Sequence, residues 1–264
     1  MKTFRLLALG DITGPKSTEY VAKTLWSVRK KYGINAVCAN AENCAEPNGI
    51  DKESAETLFS HGVDVITTGN HIWRKSSVFS YLDDKENILR PLNYPSENPG
   101  HGDCIVNIDG VRILFMNVLG EAFMDSSSSP FEAVEKSLAK NEGRYDFAVL
   151  DVHAEATGEK KALGYFFADR VSVIFGTHTH VQTADAQILD KRCGYITDLG
   201  MCGAVDSILG VRKERIISKL RTKMMAKFDF ADGETECNGA IFDIDADTGI
   251  TFGAKNIRYS GEIK

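Results

Sequence analysis

The sequence has no surplus of positive charge. Its 264 residues include 31 Lys and Arg against 37 Asp and Glu, which gives a formal net charge of −6. Because non-specific binding to nucleic acids depends on clustered positive charge, we expect no stable nucleic-acid complex. Hydrophobic residues make up 43% of the chain, an ordinary value for a globular protein, so disordered, collagen-like and coiled-coil chains are excluded.

Long apolar runs and closely paired cysteines are also absent. The first apolar run, residues 4–9, is too short for a signal-peptide core, and Asp11 follows it closely. No later stretch approaches the roughly 20 apolar residues of a membrane span. The six cysteines include no C-x-x-C pair, which is typical of reduced thiols. We therefore expect a cytoplasmic protein without a membrane segment.

Short apolar runs alternate with helical patterns at the start of the chain. Strands are predicted over residues 4–9, 34–39 and 63–67, and helices over about 17–31 and 51–61. This βαβαβ order is typical of parallel strands joined by crossover helices. Since no composition change resembles a linker, we expect one domain over residues 1–264.

The remaining segments are predicted from apolar runs, prolines and turn residues. Further strands are expected over 111–118, 147–152, 171–175 and 194–199, a basic helix over 211–223 with a solvated face, and an antiparallel hairpin after Gly233. Several prolines predict a loop over 83–103. A helix over 130–142 is predicted to start at a capping box formed by Ser129 and Glu132, with Pro130 at its first position.

Residues that can bind metals follow the ends of the predicted strands. In open α/β sheets, functional groups gather at the carboxyl ends of strands. Eight residues occupy such positions: Asp11, Glu42, Asn43, Asn70, His71, His153, His178 and His180. Each alone could be an ordinary turn, cap or core residue. Four of the six histidines fall in this set, however, which scattered histidines would not be expected to do.

Carboxylate oxygens, amide oxygens and imidazole nitrogens together suit Zn, Mn or Fe. One ion needs about four to six donors, so the surplus predicts two divalent or trivalent transition metal ions, with Glu42 able to bridge them. Two ions about 3.5–4 Å apart can hold a hydroxide and neutralise a phosphoryl group under attack. The set therefore predicts metal-dependent phosphoryl chemistry.

Competing motifs fail on inspection. A segment that looks like a P-loop carries Pro15, which has no N–H, where the second motif glycine should stand. The aspartates at 243, 245 and 247 resemble the start of an EF-hand loop. The sixth position of such a loop is Thr248 instead of Gly and the twelfth is Ala254 instead of Glu, so a turn is expected. No G-x-S-x-G elbow or convincing G-x-G-x-x-G is present, which leaves serine-hydrolase and dinucleotide-binding functions without support.

The ordered set resembles the calcineurin-like metallophosphoesterases and, within them, the bacterial YmdB-type branch. The segments that carry the resemblance are AEN at 41–43, TGNHIW at 68–73, HAEAT at 153–157, THTHVQTAD at 177–185 and YITDLGM at 195–201. The resemblance implies an α/β fold, a four-layer αββα sandwich with mixed sheets. It also implies phosphodiesterase activity toward nucleotides, with 2',3'-cyclic nucleotides as the usual substrates.

The resemblance also implies roles for the eight residues. Asp11, Glu42, Asn43 and His180 would hold one ion, and Glu42, Asn70, His153 and His178 would hold the second, so that Glu42 bridges. His71 would be the general acid or would stabilise the phosphoryl oxygens. The expected partners are a nucleotide or another phosphodiester substrate and, in a homo-oligomer, further copies of the chain.

Two other functions remain open on the residues alone. The first is a metal-binding regulatory protein with incidental turnover, which would contact its partner through Arg74 and the basic helix at 211–223. The second is a metal-dependent amide or lactam hydrolase. This alternative is disfavoured because Val181 and Gln182 follow His180, where the H-x-H-x-D-H pattern of one such class would continue. Arg74 and the loop at 44–49 depart from the YmdB-type pattern, and we expect both near the substrate entrance.

Overall fold

A computed structural model describes residues 2–263 of the chain. Within that range there are six α-helices: α1 Gly14–Tyr32, α2 Lys52–Ser60, α3 Phe79–Asp84, α4 Pro130–Lys140, α5 Thr157–Phe167 and α6 Lys213–Thr222. The strands are β1 Thr3–Leu9, β2 Asp11–Ile12, β3 Ala36–Asn40, β4 Val65–Thr67, β5 Ile88–Leu89, β6 Asp103–Ile108, β7 Val111–Leu119, β8 Phe147–His153, β9 Val173–Thr177, β10 Gln187–Leu189, β11 Cys193–Ile196, β12 Met201–Ala204, β13 Thr235–Asp245 and β14 Thr251–Ser260.

The strands form two mixed sheets. The first has the order β2-β12-β13-β1-β3-β4-β5, with β14 on β13, and the second has the order β10-β11-β9-β8-β7-β6. In the first sheet β1, β3, β4 and β5 run parallel, whereas β13 is antiparallel to β1. In the second sheet β7, β8, β9 and β11 run parallel. Both sheets therefore present the carboxyl ends of several parallel strands.

Successive residues of one strand belong to different apolar cores. In β1, Leu6 packs in a core that also contains Phe115 of β7 and Phe242 of β13, so this core includes residues of both sheets. Its neighbour Leu7 packs with Leu25 of α1 and other helical residues. A third core joins β7 and β8 of the second sheet to α4 and α5. This alternation follows from the two-residue period of a strand and explains why these strands are apolar throughout rather than alternately polar.

The predicted βαβαβ order at the start of the chain is confirmed, as is the final antiparallel hairpin, β13 with β14. Helix α1 begins earlier than predicted, at Gly14, because Pro15 is accommodated in the first turn, where its missing N–H costs nothing. The strand predicted over 171–175 lies at Val173–Thr177, and that over 194–199 lies at Cys193–Ile196. The predicted loop over 83–103 contains the short strand β5 and ends where β6 begins.

The predicted capping box of α4 is wrong in its hydrogen bonding. Ser129 is the N-cap residue and Pro130 follows it, but the Ser129 side chain makes no capping hydrogen bond. The neighbouring hydroxyls of Ser127 and Ser128 instead donate to the carbonyl oxygen of Asn93, at 2.7 and 3.4 Å. The serine run thus attaches the loop before α4 to the segment around residue 93.

Helix α6 has no buried residue, which agrees with the solvated face predicted for the basic helix. All six cysteines are buried and free. None of the helices described over residues 2–263 is long and apolar enough to cross a membrane.

Candidate metal centre

The two sheets bring all eight candidate residues to one rim. From the first sheet, Asp11 opens β2, Glu42 and Asn43 follow β3, and Asn70 and His71 follow β4. From the second sheet come the three remaining histidines: His153 ends β8, His178 comes directly after β9, and His180 lies in the same loop. The residues are far apart in the chain but meet because parallel strands end on the same side of each sheet.

His153 is the centre of one group of potential ligand atoms. Its Nε2 lies 3.2 Å from Asn70 Oδ1, 3.1 Å from His178 Nδ1 and 3.3 Å from Glu42 Oε1. Donors arranged tetrahedrally around a zinc-like ion, with bonds of about 2.0–2.1 Å, lie roughly 3.3 Å from one another. The spacing of these four atoms therefore fits a transition-metal ion.

The hydrogen bonds behind His153 fix which nitrogen faces the centre. The Thr177 hydroxyl donates to Asp151 Oδ1 at 2.7 Å and therefore accepts from His153 Nδ1, at 2.9 Å. Nδ1 carries a proton in this arrangement, so Nε2 is the nitrogen that faces Glu42 and Asn70 and that could bind a metal ion in place of a proton. An imidazole anchored through its other nitrogen to a hydroxyl and a buried carboxylate is a common arrangement in protein metal sites.

Asp11 and His180 form a second group. Asp11 is fully buried, and its Oδ2 accepts from the His178 backbone N–H at 3.0 Å. Its Oδ1 has no hydrogen-bond partner among residues 2–263. His180 Nε2 lies 3.6 Å from that Oδ1, and His180 Nδ1 lies 3.1 Å from the Leu209 carbonyl oxygen, to which it can only donate. A buried carboxylate oxygen without a hydrogen bond is costly unless a cation compensates for it, and a metal ion held by Asp11 and His180 would do so.

Glu42 lies between the two groups and next to His71. Its Oε2 accepts from the His71 backbone N–H at 2.9 Å, and its Oε1 accepts from the Asn43 side chain at 3.3 Å. His71 Nδ1 lies 2.9 Å from Asn43 Oδ1, and the His71 side chain is 24% exposed, unlike the fully buried His153. The His71 ring is therefore partly open to solvent, whereas the His153 ring is enclosed.

The pKa shifts in the centre show that its buried carboxylates favour one positive charge on His153 and that His178 stays neutral beside it. Burial lowers the pKa of His153, but Glu42 and other buried carboxylates outweigh burial and raise that pKa to about 9. Burial also raises the pKa of Glu42, yet His153 and His71 hold it well below its usual value. For His178, burial and the neighbouring His153 lower the pKa to about 4. The carboxylates thus create a negative potential that a cation would relieve.

Two loop residues adopt unusual backbone conformations. His178 and His180 have φ values of 96° and 63°. Such values are costly for residues other than glycine and persist where the surroundings fix them, which occurs most often at functional sites. The strain supports a functional role for the loop at 177–180.

A buried ion pair holds this loop. Lys160 Nζ of α5 lies 2.7 Å from Asp198 Oδ2, and both side chains are 1% exposed. The same Asp198 oxygen accepts from the backbone N–H and the hydroxyl of Thr179, and Asp198 Oδ1 accepts from the backbone N–H of Gly200. The pair therefore connects helix α5 to the loop that carries His178 and His180.

The sequence interpretation missed several residues that support the centre. Behind His153 they are Asp151, Thr177 and Asn40, and the Asn40 side chain contacts both Asp151 and His153. Beside His178 the Glu155 carboxylate lies 3.0 Å from Nε2. The pair Lys160–Asp198 completes the set. One signal was visible: Asp151 is the single charged residue of an otherwise apolar strand, and the two-residue period places it on the same face as His153.

Comparison with known proteins identifies the family of the chain. A family model described as "YmdB-like protein" matches residues 7–257. A 2',3'-cyclic-nucleotide 2'-phosphodiesterase of Bacillus subtilis strain 168 is 38% identical over 244 residues, covering 92% of each chain. The solved structure of a hypothetical protein from Thermus thermophilus superposes with a TM-score of 0.91 at 35% identity, covering 97% of this chain and 99% of the other. The crystal structure of a novel phosphatase from Mycoplasma pneumoniae superposes with a TM-score of 0.92 at 30% identity, covering 98% of this chain and 94% of the other. The resemblance found in the sequence is confirmed, and the chain belongs to the YmdB-like protein family.

Proposed function

We propose that this chain is a phosphodiesterase that acts on nucleotides with the help of two transition metal ions. The chain is a hydrolase of the phosphoesterase type, as its relatives are. The observation that carries the metal dependence is the convergence of Asn70, His178 and Glu42 on His153 Nε2, within 3.1–3.3 Å. The unpaired Oδ1 of buried Asp11 supports a second position close by.

The contacts suggest that Asn70, His153 and His178 would hold one ion and that Asp11 and His180 would hold the other, with Glu42 between them. The family resemblance adds Asn43 to the second set. When bound, iron, manganese or zinc ions of this kind supply Lewis acidity that activates water and neutralises phosphoryl oxygens. The two asparagines add oxygen donors without adding negative charge, so the site keeps its attraction for a phosphate anion.

His71 is the group best placed to act on the substrate. Asn43 and Glu42 hold its Nδ1, at 2.9 and 3.3 Å, and thereby orient the partly exposed ring. We assign it to protonating the leaving alkoxide or to donating a hydrogen bond to a phosphoryl oxygen. An imidazole suits either role near neutral pH.

We infer 2',3'-cyclic nucleotides as the substrate class, because the relative from Bacillus subtilis carries that activity in its name and is aligned over 92% of this chain. We also infer that residues 1–264 form one catalytic domain, since both sheets contribute to the rim. The three cores support stacking of the sheets and their helices as a four-layer αββα sandwich. The cytoplasmic location and the homo-oligomer stay predictions.

The proposal is tested by metal analysis and turnover together. Wild type, Asp11→Asn, His71→Ala and the control His61→Ala are compared for bound iron, manganese and zinc and for hydrolysis of bis(p-nitrophenyl) phosphate and 2',3'-cyclic AMP. His61 is an exposed histidine at the end of α2 and outside the centre. We expect Asp11→Asn to lose metal and activity together, His71→Ala to keep metal and lose most turnover, and His61→Ala to match wild type.

Two outcomes would contradict the proposal. Equal turnover in all four proteins would place the reaction elsewhere. Full metal occupancy with negligible hydrolysis of both substrates by wild type would favour a metal-binding regulatory protein instead.

A further inference from the structure

A cavity whose lining contains none of the eight candidate residues of the metal centre lies between the segment at 90–103 and helix α4. It has a volume of about 440 Å³ and is lined by Arg90, Tyr94, His101, Asp103, Lys136 and Lys140, among others. Tyr94 of this lining packs against Trp73, with the two ring centroids 4.7 Å apart, and Trp73 follows His71 by two residues. We call it the Arg90 cavity.

Arg90 is a buried cation whose guanidinium makes no direct ion pair with a carboxylate of residues 2–263. Its residue exposure is 7%, and the carboxylates of Asp83 and Asp103 act on it from beyond ion-pair distance. Nε donates to the Gly100 carbonyl at 3.0 Å and Nη1 to the Pro91 carbonyl at 2.9 Å. These bonds fix the plane of the guanidinium and leave Nη2 without a protein acceptor in the described part of the chain. A buried charge is normally paired, so the arrangement suits an anion that comes from outside the chain.

Besides Arg90, the lining carries two lysines and one carboxylate, that of Asp103, which acts on Arg90 without pairing with it directly. Asp103 is the acidic residue of the lining, and it already accepts from Lys140 at 3.2 Å and from the Ser137 hydroxyl. Lys136 lies 3.6 Å from Glu132, but both side chains are largely exposed, so this pair contributes little. Arg90 and Lys136 therefore remain available to an incoming anion.

The geometry points to a phosphate group as the ligand of the Arg90 cavity. We propose that the cavity binds the phosphate of a small organic phosphate, with Arg90 Nη2 and Lys136 Nζ as donors. A fixed guanidinium and a mobile ammonium suit a dianion with three free oxygens. The volume exceeds that of phosphate alone, and Leu92, Tyr94 and Ala133 supply apolar surface for the organic part.

Two sources could supply this phosphate. One is a second phosphate on the substrate held at the metal centre, an assignment that rests on the proposed function. The other is a separate phosphate compound that binds independently of turnover. Both use the same donors, so binding is tested first and its source second.

Binding is measured by equilibrium dialysis of radioactive inorganic phosphate against the full-length protein as purified. Arg90→Gln is compared with wild type and with Lys30→Gln, which removes the same charge from an exposed position on α1 outside the cavity. We expect Arg90→Gln to bind one phosphate fewer per chain, or to bind it with affinity lowered about tenfold or more, as loss of a charge-assisted hydrogen bond predicts. Lys30→Gln should match wild type. Equal binding by all three proteins would overturn the proposal.

Lys136→Gln keeps the test valid if Arg90→Gln folds poorly. The Lys136 side chain is 79% exposed, so its loss should leave the melting temperature unchanged. We expect weaker phosphate binding at the same site, and unchanged binding by a correctly folded Lys136→Gln would also contradict the proposal.

The source is identified by kinetics on 2',3'-cyclic AMP with and without a 5'-phosphate. If the substrate supplies the phosphate, Lys136→Gln raises KM for the 5'-phosphorylated compound alone. If a separate compound supplies it, KM changes for neither substrate while phosphate binding still falls; either result supports the cavity. A protein that hydrolyses neither substrate but loses phosphate binding in Arg90→Gln would contradict the proposed function and leave the Arg90 cavity supported.

Discussion

Gly69 provides a sharp test of the position of His153. A Cβ added at Gly69 would lie 2.2 Å from His153 Nε2 and Cδ2, whereas ordinary contacts begin near 3.4 Å, so the ring or the loop would have to move by about 1.2 Å. Gly69 does not have a positive φ, so alanine is compatible with the backbone, and the effect of the substitution comes from the contact itself. His153 has little room to retreat, because it is fully buried and its Nδ1 lies 2.9 Å from Thr177 Oγ1.

We therefore expect Gly69→Ala to disturb the centre while the rest of the fold persists. A displacement of about 1 Å at a catalytic group can lower the rate on the order of 100-fold. If the loop moves instead of the ring, Asn70 and His71 move with it, and the loss is similar. The assay is kcat/KM on bis(p-nitrophenyl) phosphate with added manganese, together with metal retained after dialysis and the melting temperature.

Gly158→Ala is the matched control. Gly158 lies in the first turn of α5, and a Cβ there would meet no atom within 4 Å. This variant should match wild type in turnover and metal content. Gly69→Ala with wild-type metal content and little change in kcat/KM would refute the assignment of His153 Nε2 to the centre.

Two further predictions concern stability. Lys160→Met should lower the free energy of unfolding, measured in urea, by about 3–5 kcal/mol, because it leaves Asp198 buried without its cation. The control Lys161→Met removes a partly exposed ammonium 3.5 Å from Asp185 and should cost less than about 1 kcal/mol. Equal losses in the two variants would contradict a buried Lys160–Asp198 pair. Burial raises the pKa of Asp51, the N-cap of α2, but hydrogen bonds from Ser54 and the Lys75 ammonium outweigh burial and hold that pKa below its usual 3.8. The ionised Asp51 therefore stabilises the fold fully above pH 3.8, and this stabilisation is lost as the pH falls through the lowered pKa. The stability advantage of wild type over Asp51→Asn should therefore shrink on acidification in this range, and an advantage independent of pH would contradict the assignment.

The sequence predicts the strands that end at the metal centre better than it predicts the short strands β2, β10 and β12. Strands β3, β4 and β9 are continuous apolar runs that end in polar residues, so both the strands and the candidate ligands after them could be found from the pattern. Strands β2, β10 and β12 have two to four residues and leave no periodic signal. Their places depend on pairing with distant strands, such as Met201 of β12 opposite Asp11.

The support around the ligands could be predicted only in part. Lysine is rarely buried, so no pattern marks Lys160 as the internal partner of Asp198. His180 Nδ1 donates to the backbone carbonyl of Leu209. Every residue type carries such a carbonyl, so the sequence cannot show which one accepts this hydrogen bond. By contrast, Asp151 within an apolar strand was a visible signal that the period of β8 could have linked to His153.

Anomalous diffraction from crystals grown with manganese shows directly whether two ions lie between the two sheets. We expect two anomalous peaks on either side of the Glu42 carboxylate, one adjoining His153 and His178 and the other adjoining Asp11 and His180. Density without an anomalous peak at either position, with His153 Nε2 and Asp11 Oδ1 turned away from Glu42, would contradict it.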